Sequence, residues 1–152
     1  MIIYECALTK FADGSRPQPR IRDYGQKGRG LQAIAKEPGQ VAYKDGDRIG
    51  RLVGYVVVVK PEDRYTVEIV RPDLSQAGPV CYITCQRYGS VYRLANHGCD
   101  PPAVLRPMMI SGYYALVLAA TRDIHDGEEI EFNYGRGYFE GQRCLCRVCA
   151  DK

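Results

Sequence analysis

No stretch of the 152-residue sequence is apolar for long enough to cross a bilayer, no block of like charge stands out, and helical periodicity is hard to find. The first absence excludes a membrane-spanning helix, which needs ~20 consecutive apolar residues. The opening MIIYECALTKF carries Glu5 and Lys10 where a secretory signal would keep an unbroken apolar core, so a soluble intracellular protein is expected. The 21 basic and 18 acidic residues are scattered along the chain, and their formal balance of +3 supplies no footprint for a nucleic-acid backbone. No direct nucleic-acid partner and no membrane contact are therefore expected. Internal repeats and low-complexity tracts are also missing, which leaves functional residues to come from strand ends and loops of one scaffold. With 45% hydrophobic residues, that scaffold is a single domain with a genuine core.

What the sequence has instead is short runs rich in Val, Ile and Tyr, set between Gly and Pro, and these predict a mainly β protein. Expected strands cover residues 2–8 (IIYECAL), 31–35 (LQAIA), 51–60 (RLVGYVVVVK), 64–70 (RYTVEIV), 80–85 (VCYITC), 113–120 (YYALVLAA) and 128–134 (EEIEFNY). Pro61 to Asp63 and Ser111 with Gly112 are expected hairpin turns, so that Arg51 to Val70 reads as one hairpin. Asp13 to Gln18 and Asp73 to Pro79 read as loops. The last segment, Gly135 to Lys152, lacks apolar runs and needs a staple to stay ordered.

Cysteine usage supplies that staple. Cys144, Cys146 and Cys149 form a C-x-C-x2-C cluster, which suits metal ligation better than a disulfide framework in a reducing compartment. A closed structural zinc site takes four tetrahedral ligands, so one must come from elsewhere in the fold. Cys99, between Gly98 and Pro101 on a loop free of sheet packing, is the candidate. Cys81, Ile83 and Cys85 alternate onto one strand face and read as small buried hydrophobes; Cys6, Cys81 and Cys85 are expected to be reduced. The alternative, a trio of unpaired surface thiols, would leave clustered sulfurs open to oxidation. Bound metal would pin the tail against the loop from Asn96 to Cys99 and so become part of folding.

Four motifs stand in order along the chain: KGRG at residues 27–30, RLANHGCDP at 93–101, GEEIEFNYG at 127–135, and the cysteine tail. Together, from about Arg20 to Cys149, they resemble the SET-domain family of protein lysine methyltransferases. The resemblance implies a β-clip-like fold of several small sheets, in which the C-terminal segment threads the segment 93–101 into a pseudoknot. It also implies a SET domain over residues 1–134 followed by a zinc-binding post-SET tail over 135–152.

The resemblance further implies S-adenosyl-L-methionine as cofactor, one structural zinc held by Cys99, Cys144, Cys146 and Cys149, and a protein lysine as substrate, with a histone tail and a nuclear location to match. Gly28, Arg29 and Gly30 match the family's cofactor turn; alone, this G-x-G would read as an ordinary turn, since it lacks the third glycine and the helix of a dinucleotide fingerprint. Asn96 and His97 match the cofactor-contacting pair, although a lone Asn-His in a turn more often bonds its own backbone. Arg93 and Leu145 match positions that hold the cofactor's polar end and cover its adenine. Tyr134 matches the active-site tyrosine, and Phe132 and Tyr138 join it as walls of the lysine channel. Phe132 is equally readable as a core residue; in the channel it leaves room that a phenol would fill with water, implying more than one methyl transferred. Free lysine, with pKa near 10.4, is neutral in only about one molecule in a few thousand at pH 7. Burial in an apolar channel beside a sulfonium lowers that pKa twice over, so no dedicated strong base is demanded.

Departures from the family pattern are Gly98 in place of serine, Pro102 in place of asparagine, Asn133 in place of aspartate, and Thr84 in place of an acid beside the substrate groove. Asp126, Glu128, Glu129 and Glu131 either attract a basic tail or form a solvated acidic face. Two other functional classes compete: a catalytically inactive module that presents an edge strand to a peptide, and thiol chemistry using Cys85 or Cys99 with His97.

Overall fold

A computed structural model describes residues 18–71, 73–135 and 137–150. The expected strand at 2–8, Cys6 and nearly all of the loop from Asp13 to Gln18 lie outside the described residues. Among the described residues the chain forms β1 (Arg20–Asp23), β2 (Arg29–Gln32), β3 (Val41–Tyr43), β4 (Arg48–Leu52), β5 (Tyr55–Val57), β6 (Thr66–Ile69), β7 (Cys81–Thr84), β8 (Asn96–His97), β9 (Ala103–Ile110), β10 (Tyr113–Ala120), β11 (Ile124–His125) and β12 (Glu129–Phe132). A single helical turn, α1 (Arg147–Ala150), and 3-10 turns at Gly25–Lys27 and Val91–Leu94 are the helical elements. The protein is mainly β, as its patterning predicts.

These strands make four small sheets, ordered β1-β2-β12-β8, β4-β10-β9, β5-β7-β6 and β11-β3. The run YYALVLAA becomes β10 at its expected bounds. It lies between β4 and β9, and from Ala115 to Ala120 every residue is buried, which explains why its sequence is continuously apolar rather than alternating. The partner β9 was not expected, because Arg106 and Pro107 interrupt its apolar pattern. It occupies the edge of its sheet, where proline is tolerated because no neighbour needs its missing N–H. The two strands meet at Ser111 (φ 50°) and Gly112 (φ 81°), a two-residue turn with both dihedrals positive, as the hairpin expectation required.

Two expectations for residues 51–70 are overturned. The run RLVGYVVVVK is not one strand: it divides at Val53 and Gly54 into β4 and β5, which belong to different sheets. A Cβ on Gly54 would stand 2.5 Å from the Thr84 carbonyl oxygen and 2.8 Å from Cys85 Sγ, so the chain turns there against the end of β7 at a separation only glycine permits. Nor does Arg51 to Val70 form a hairpin through Pro61 to Asp63. Both β5 and β6 pair antiparallel with β7, on opposite sides, with Tyr55 and Thr66 each in register with Thr84. The connection between them therefore crosses over. Asp63 fastens it, accepting from Thr84 Oγ1 (2.6 Å), Thr66 Oγ1 (2.8 Å) and the Tyr65 amide (2.8 Å).

The main core gathers Leu31, Tyr43, Ile49, Leu118, Ile124 and Ile130; a second cluster joins Leu52, Ile69, Cys85 and Leu116. Cys85 is buried, with Cys81 and Ile83 packed half-buried beside it, which agrees with the one-face reading of that strand. Leu31 and Ile130 face each other across β2 and β12 and are both fully buried. Burying each contributes roughly 1.5–3 kcal/mol. This pairing places β12, the last strand of the chain, antiparallel to β2 on one side and parallel to β8 on the other, with Glu131 opposite Asn96 and Phe132 opposite His97. The C-terminal segment thus runs between the glycine turn and the segment 93–101, the arrangement a pseudoknot requires.

Candidate active site and metal centre

The glycine turn, the Asn-His pair and the C-terminal strand meet in the sheet β1-β2-β12-β8. Gly28 closes the turn with φ 80°, and its carbonyl accepts from the Tyr24 amide at 2.9 Å. Gly30 serves a second purpose. A Cβ there would fall 2.5 Å from Asn96 Nδ2 and 2.9 Å from both Glu129 Oε1 and the Tyr24 ring. The missing side chain makes a cradle for the Asn96 amide, a use of Gly30 that its match to a cofactor turn did not disclose. Arg29, between the two glycines, is exposed and faces Asp23 across β1 and β2.

Asn96 Nδ2 donates to Glu129 Oε1 at 2.9 Å. The same carboxylate takes Lys27 Nζ at 2.5 Å, and Lys27 reaches Glu131 at 2.6 Å. Contact with Glu129 and Glu131 raises the Lys27 pKa despite the opposing cost of its burial, so the lysine is charged. Glu128 pairs with Arg122, and Asp126 accepts from the Ala35 amide at 2.9 Å. The four acids read as either a lure for a basic tail or a solvated face are thus engaged within the fold.

His97 is buried and bonded at both ring nitrogens. Nδ1 accepts from the Tyr134 amide at 3.1 Å, which leaves the ring proton on Nε2, 3.3 Å from Cys99 Sγ. Burial and the Lys27 charge hold its pKa below the usual histidine value, consistent with this neutral tautomer. Tyr134, just past the end of β12, donates its phenol proton to the Ala95 carbonyl at 2.6 Å. Burial pushes its pKa far above the ordinary phenol range, with nearby Tyr138 and Tyr65 adding to the shift, so the group acts as a neutral donor rather than a base.

An aromatic cluster surrounds this phenol. Ring centroids lie 4.8 Å from Phe132, 4.6 Å from Tyr138 and 5.5 Å from His97. Phe132 also packs against the main core, in line with its reading as a core residue. Phe139 completes the cluster, 4.7 Å from the His97 ring and 4.9 Å from Tyr138. It carries no motif signal, and only its place between Tyr138 and the cysteines hinted at it. Tyr65 was missed for a different reason: the crossover, which sequence patterning did not reveal, carries it beneath Arg93, whose guanidinium lies 5.9 Å from its ring centroid. Arg93 itself donates to the carbonyls of Cys85 (2.6 Å) and Gln86 (3.3 Å), tying the segment 93–101 to the end of β7. Leu145 is half-buried in the tail between Cys144 and Cys146.

The Sγ atoms of Cys99, Cys144, Cys146 and Cys149 all lie within 4.8 Å of one another, with Cys99 at 3.9 Å from Cys144 and 3.6 Å from Cys149. Zinc–sulfur bonds of ~2.3 Å set tetrahedral vertices ~3.8 Å apart, so the donor set and its spacing fit zinc. Against the effect of burial, hydrogen bonds from the backbone of Cys99 and from neighbouring thiols bring the Cys146 pKa down to about 7. Thiol hydrogen bonds raise the pKa of Cys99, and burial that of Cys144, so within this cluster the proton leaves Cys146 before Cys99 or Cys144. The site would leave no coordination position open, which makes it a structural staple. Next to it a cavity of about 250 Å³ lies between Lys27, Glu129 and Glu131 on one side and Cys99, Cys146 and Arg147 on the other.

Comparison with known proteins agrees with this geometry. Residues 28–135 match the SET domain family. The chain is 35% identical over 98 residues to the variant-silencing SET domain-containing protein of Plasmodium falciparum, covering 64% of this chain and 4% of that one. It is 32% identical over 108 residues to the histone-lysine N-methyltransferase SET9 of Phaeosphaeria nodorum, covering 70% and 16% respectively. The probable histone-lysine N-methyltransferase set-23 of Caenorhabditis briggsae is 27% identical over 157 residues, covering 97% of this chain and 64% of its own length. The chain thus spans less than two thirds of each of these relatives. With the family match running from the glycine turn to the residue after Tyr134, and the fold and four-thiol cluster described above, the chain belongs to the SET domain family.

Proposed function

We propose that the chain transfers methyl groups from S-adenosyl-L-methionine to the side-chain amine of a protein lysine, and that the protein is a histone, which places the activity in the nucleus. The observation that carries this reading is one continuous network. The Tyr134 phenol bonds the carbonyl preceding Asn96, its amide bonds His97, and His97 reaches the thiol cluster through Cys99. Relatives bearing the name histone-lysine N-methyltransferase support the reaction class.

When bound, the cofactor supplies an electrophilic methyl on a sulfonium. Gly28, Arg29 and Gly30 offer backbone and Asn96 an amide for its amino-acid end; Arg93 and His97 hold the segment that carries Asn96, and Leu145 covers the adenine. Phe132, Tyr134 and Tyr138 wall a channel that strips water from the incoming amine, favouring its neutral, nucleophilic form. Tyr134, held protonated, orients the amine in line for attack. Phe132 brings no hydroxyl to anchor water in the channel, which leaves room for a second and third methyl. Residues 135–152 act as a post-SET tail, with one structural zinc closing the site that residues 1–134 build.

The experiment is incubation of the zinc-loaded chain with labelled methyl donor and a panel of histones, read by mass spectrometry. Transfer to lysine that falls at least 100-fold in Tyr134→Phe, with unchanged circular dichroism, is the expected result. Cofactor and peptide binding without transfer by the wild-type chain would make it an inactive peptide-binding module instead.

A further inference from the structure

Among the described residues His97 is the one buried polar side chain, and both nitrogens of its ring are spent on the protein itself. Nδ1 takes the Tyr134 amide at 3.1 Å, and a backbone amide can only donate, so the ring proton is confined to Nε2. That N–H faces Cys99 Sγ at 3.3 Å, and among the described residues it has no other acceptor. The rings of Tyr134 and Phe139 pack against the imidazole, with centroids 5.5 Å and 4.7 Å from its own.

A buried N–H costs free energy unless it meets an acceptor; a neutral thiol is a weak one, and a thiolate, being charged, is a strong one. The tail sulfurs draw their donors from the backbone. Amides of Cys99 and Cys149 serve Cys146 Sγ, and the Cys146 amide serves Cys144 Sγ. Among the described residues no backbone amide serves Cys99 Sγ, the ligand that comes from the segment 93–101, and the His97 ring fills that place. We infer that His97 is a positioning residue of the metal centre: its Nε2–H fixes the Cys99 thiolate while its Nδ1 fixes the Tyr134 amide, so that one imidazole ties metal retention to the placement of the buried phenol. This rests on the zinc reading of the four thiols and adds to it a donor outside the ligand set. Such donors govern how firmly a ligand is held, at roughly 10–100-fold in metal affinity.

The test divides the ring between its two nitrogens. Glutamine carries its amide nitrogen where histidine has Nε2, and asparagine carries its amide where histidine has Nδ1, so His97→Gln keeps only the donor to Cys99 and His97→Asn only the acceptor for Tyr134. Zinc affinity of the reduced full chain is read by competition with a chelator, and the Tyr134 amide by hydrogen exchange of the zinc-saturated chain. His97→Gln should hold zinc within about threefold of wild type while its Tyr134 amide exchanges about tenfold faster or more. His97→Asn should do the reverse, losing about tenfold or more in zinc affinity with the Tyr134 amide still protected. The wild-type chain gives a readout that needs no variant to fold: loaded with a spin-half isotope of cadmium, it should show scalar coupling between the His97 Nε2 proton and the metal, transmitted through the Cys99 sulfur. Absence of that coupling, or variants that change neither readout or both alike, makes the ring a core filler and ends the inference while the zinc reading stands. A wild-type chain that takes up neither zinc nor cadmium ends both.

Discussion

Gly30→Ala adds a single methyl group at the point where the glycine turn, Asn96 and Glu129 converge. Gly30 has no positive φ, so its backbone accepts alanine without strain, and the entropy removed from the unfolded chain favours the variant by ~0.4–1 kcal/mol. Space decides against it. The new Cβ would stand 2.5 Å from Asn96 Nδ2 and 2.9 Å from Glu129 Oε1 and the Tyr24 ring, where carbon contacts ordinarily begin at ~3.5 Å. Neither polar neighbour retreats cheaply, because Asn96 is paired with β12 and Glu129 is held by Lys27. Overpacking of this kind costs ~1–3 kcal/mol. Parting Asn96 from Glu129 forfeits a charge-assisted hydrogen bond worth ~1.5–3 kcal/mol. The expected net loss is about 2 kcal/mol or more, read as a lower urea midpoint at unchanged m, together with a cofactor affinity reduced about tenfold. A Gly30→Ala protein with wild-type midpoint and wild-type affinity would refute the claim that this glycine is there to admit the amide.

Two further outcomes follow from the metal centre and the buried phenols. The chain should carry one zinc, with Cys99→Ser lowering metal content and leaving residues 144–150 open to protease, while β10 and its sheet keep their circular dichroism. Metal analysis and limited proteolysis check this, and a zinc-free wild-type chain with a protected tail would contradict it. Burial holds both Tyr134 and Tyr92 protonated above the ordinary phenol value of 10.0. The folded chain therefore keeps these protons more tightly than the unfolded one, so their contribution is intact below pH 10 and lost as pH rises beyond it. Urea midpoints should fall above pH 10, and the fall should be shallower in Tyr134→Phe; an equal slope would show that this phenol is not buried as described.

Much of the fold is legible where one sheet's chemistry dominates a segment. The run YYALVLAA is apolar throughout because β10 is flanked on both sides, and EEIEFNY alternates because β12 buries Ile130 while turning Glu129 and Glu131 toward Lys27. Legibility fails where a segment's role depends on a partner far away in sequence. Pro107 hides β9, since its edge position, which makes proline harmless, comes from pairing and not from local pattern. Arg51 to Val70 has every local mark of a hairpin, yet β7 separates β5 from β6, and only a contact such as Asp63 to Thr84 discloses the crossover.

The same division runs through the site. Tail cysteines betray themselves by spacing, and Cys99 by its loop, because ligand chemistry constrains residue type directly. Phe139, Tyr65 and the Lys27 to Glu129 bond leave no comparable mark, since an aromatic ring or an ion pair has many ordinary uses. Thr84 illustrates how such a contact changes a reading. In the sequence it stands where the family pattern places an acid; in the fold its hydroxyl donates to the Asp63 carboxylate at 2.6 Å. Three hydrogen bonds hold that carboxylate ionised below the usual range despite partial burial, so a negative charge stands beside the Thr84 hydroxyl that the residue at 84 does not itself carry. The charge around a position is therefore read from what the fold sets beside it, and not from the residue it carries alone.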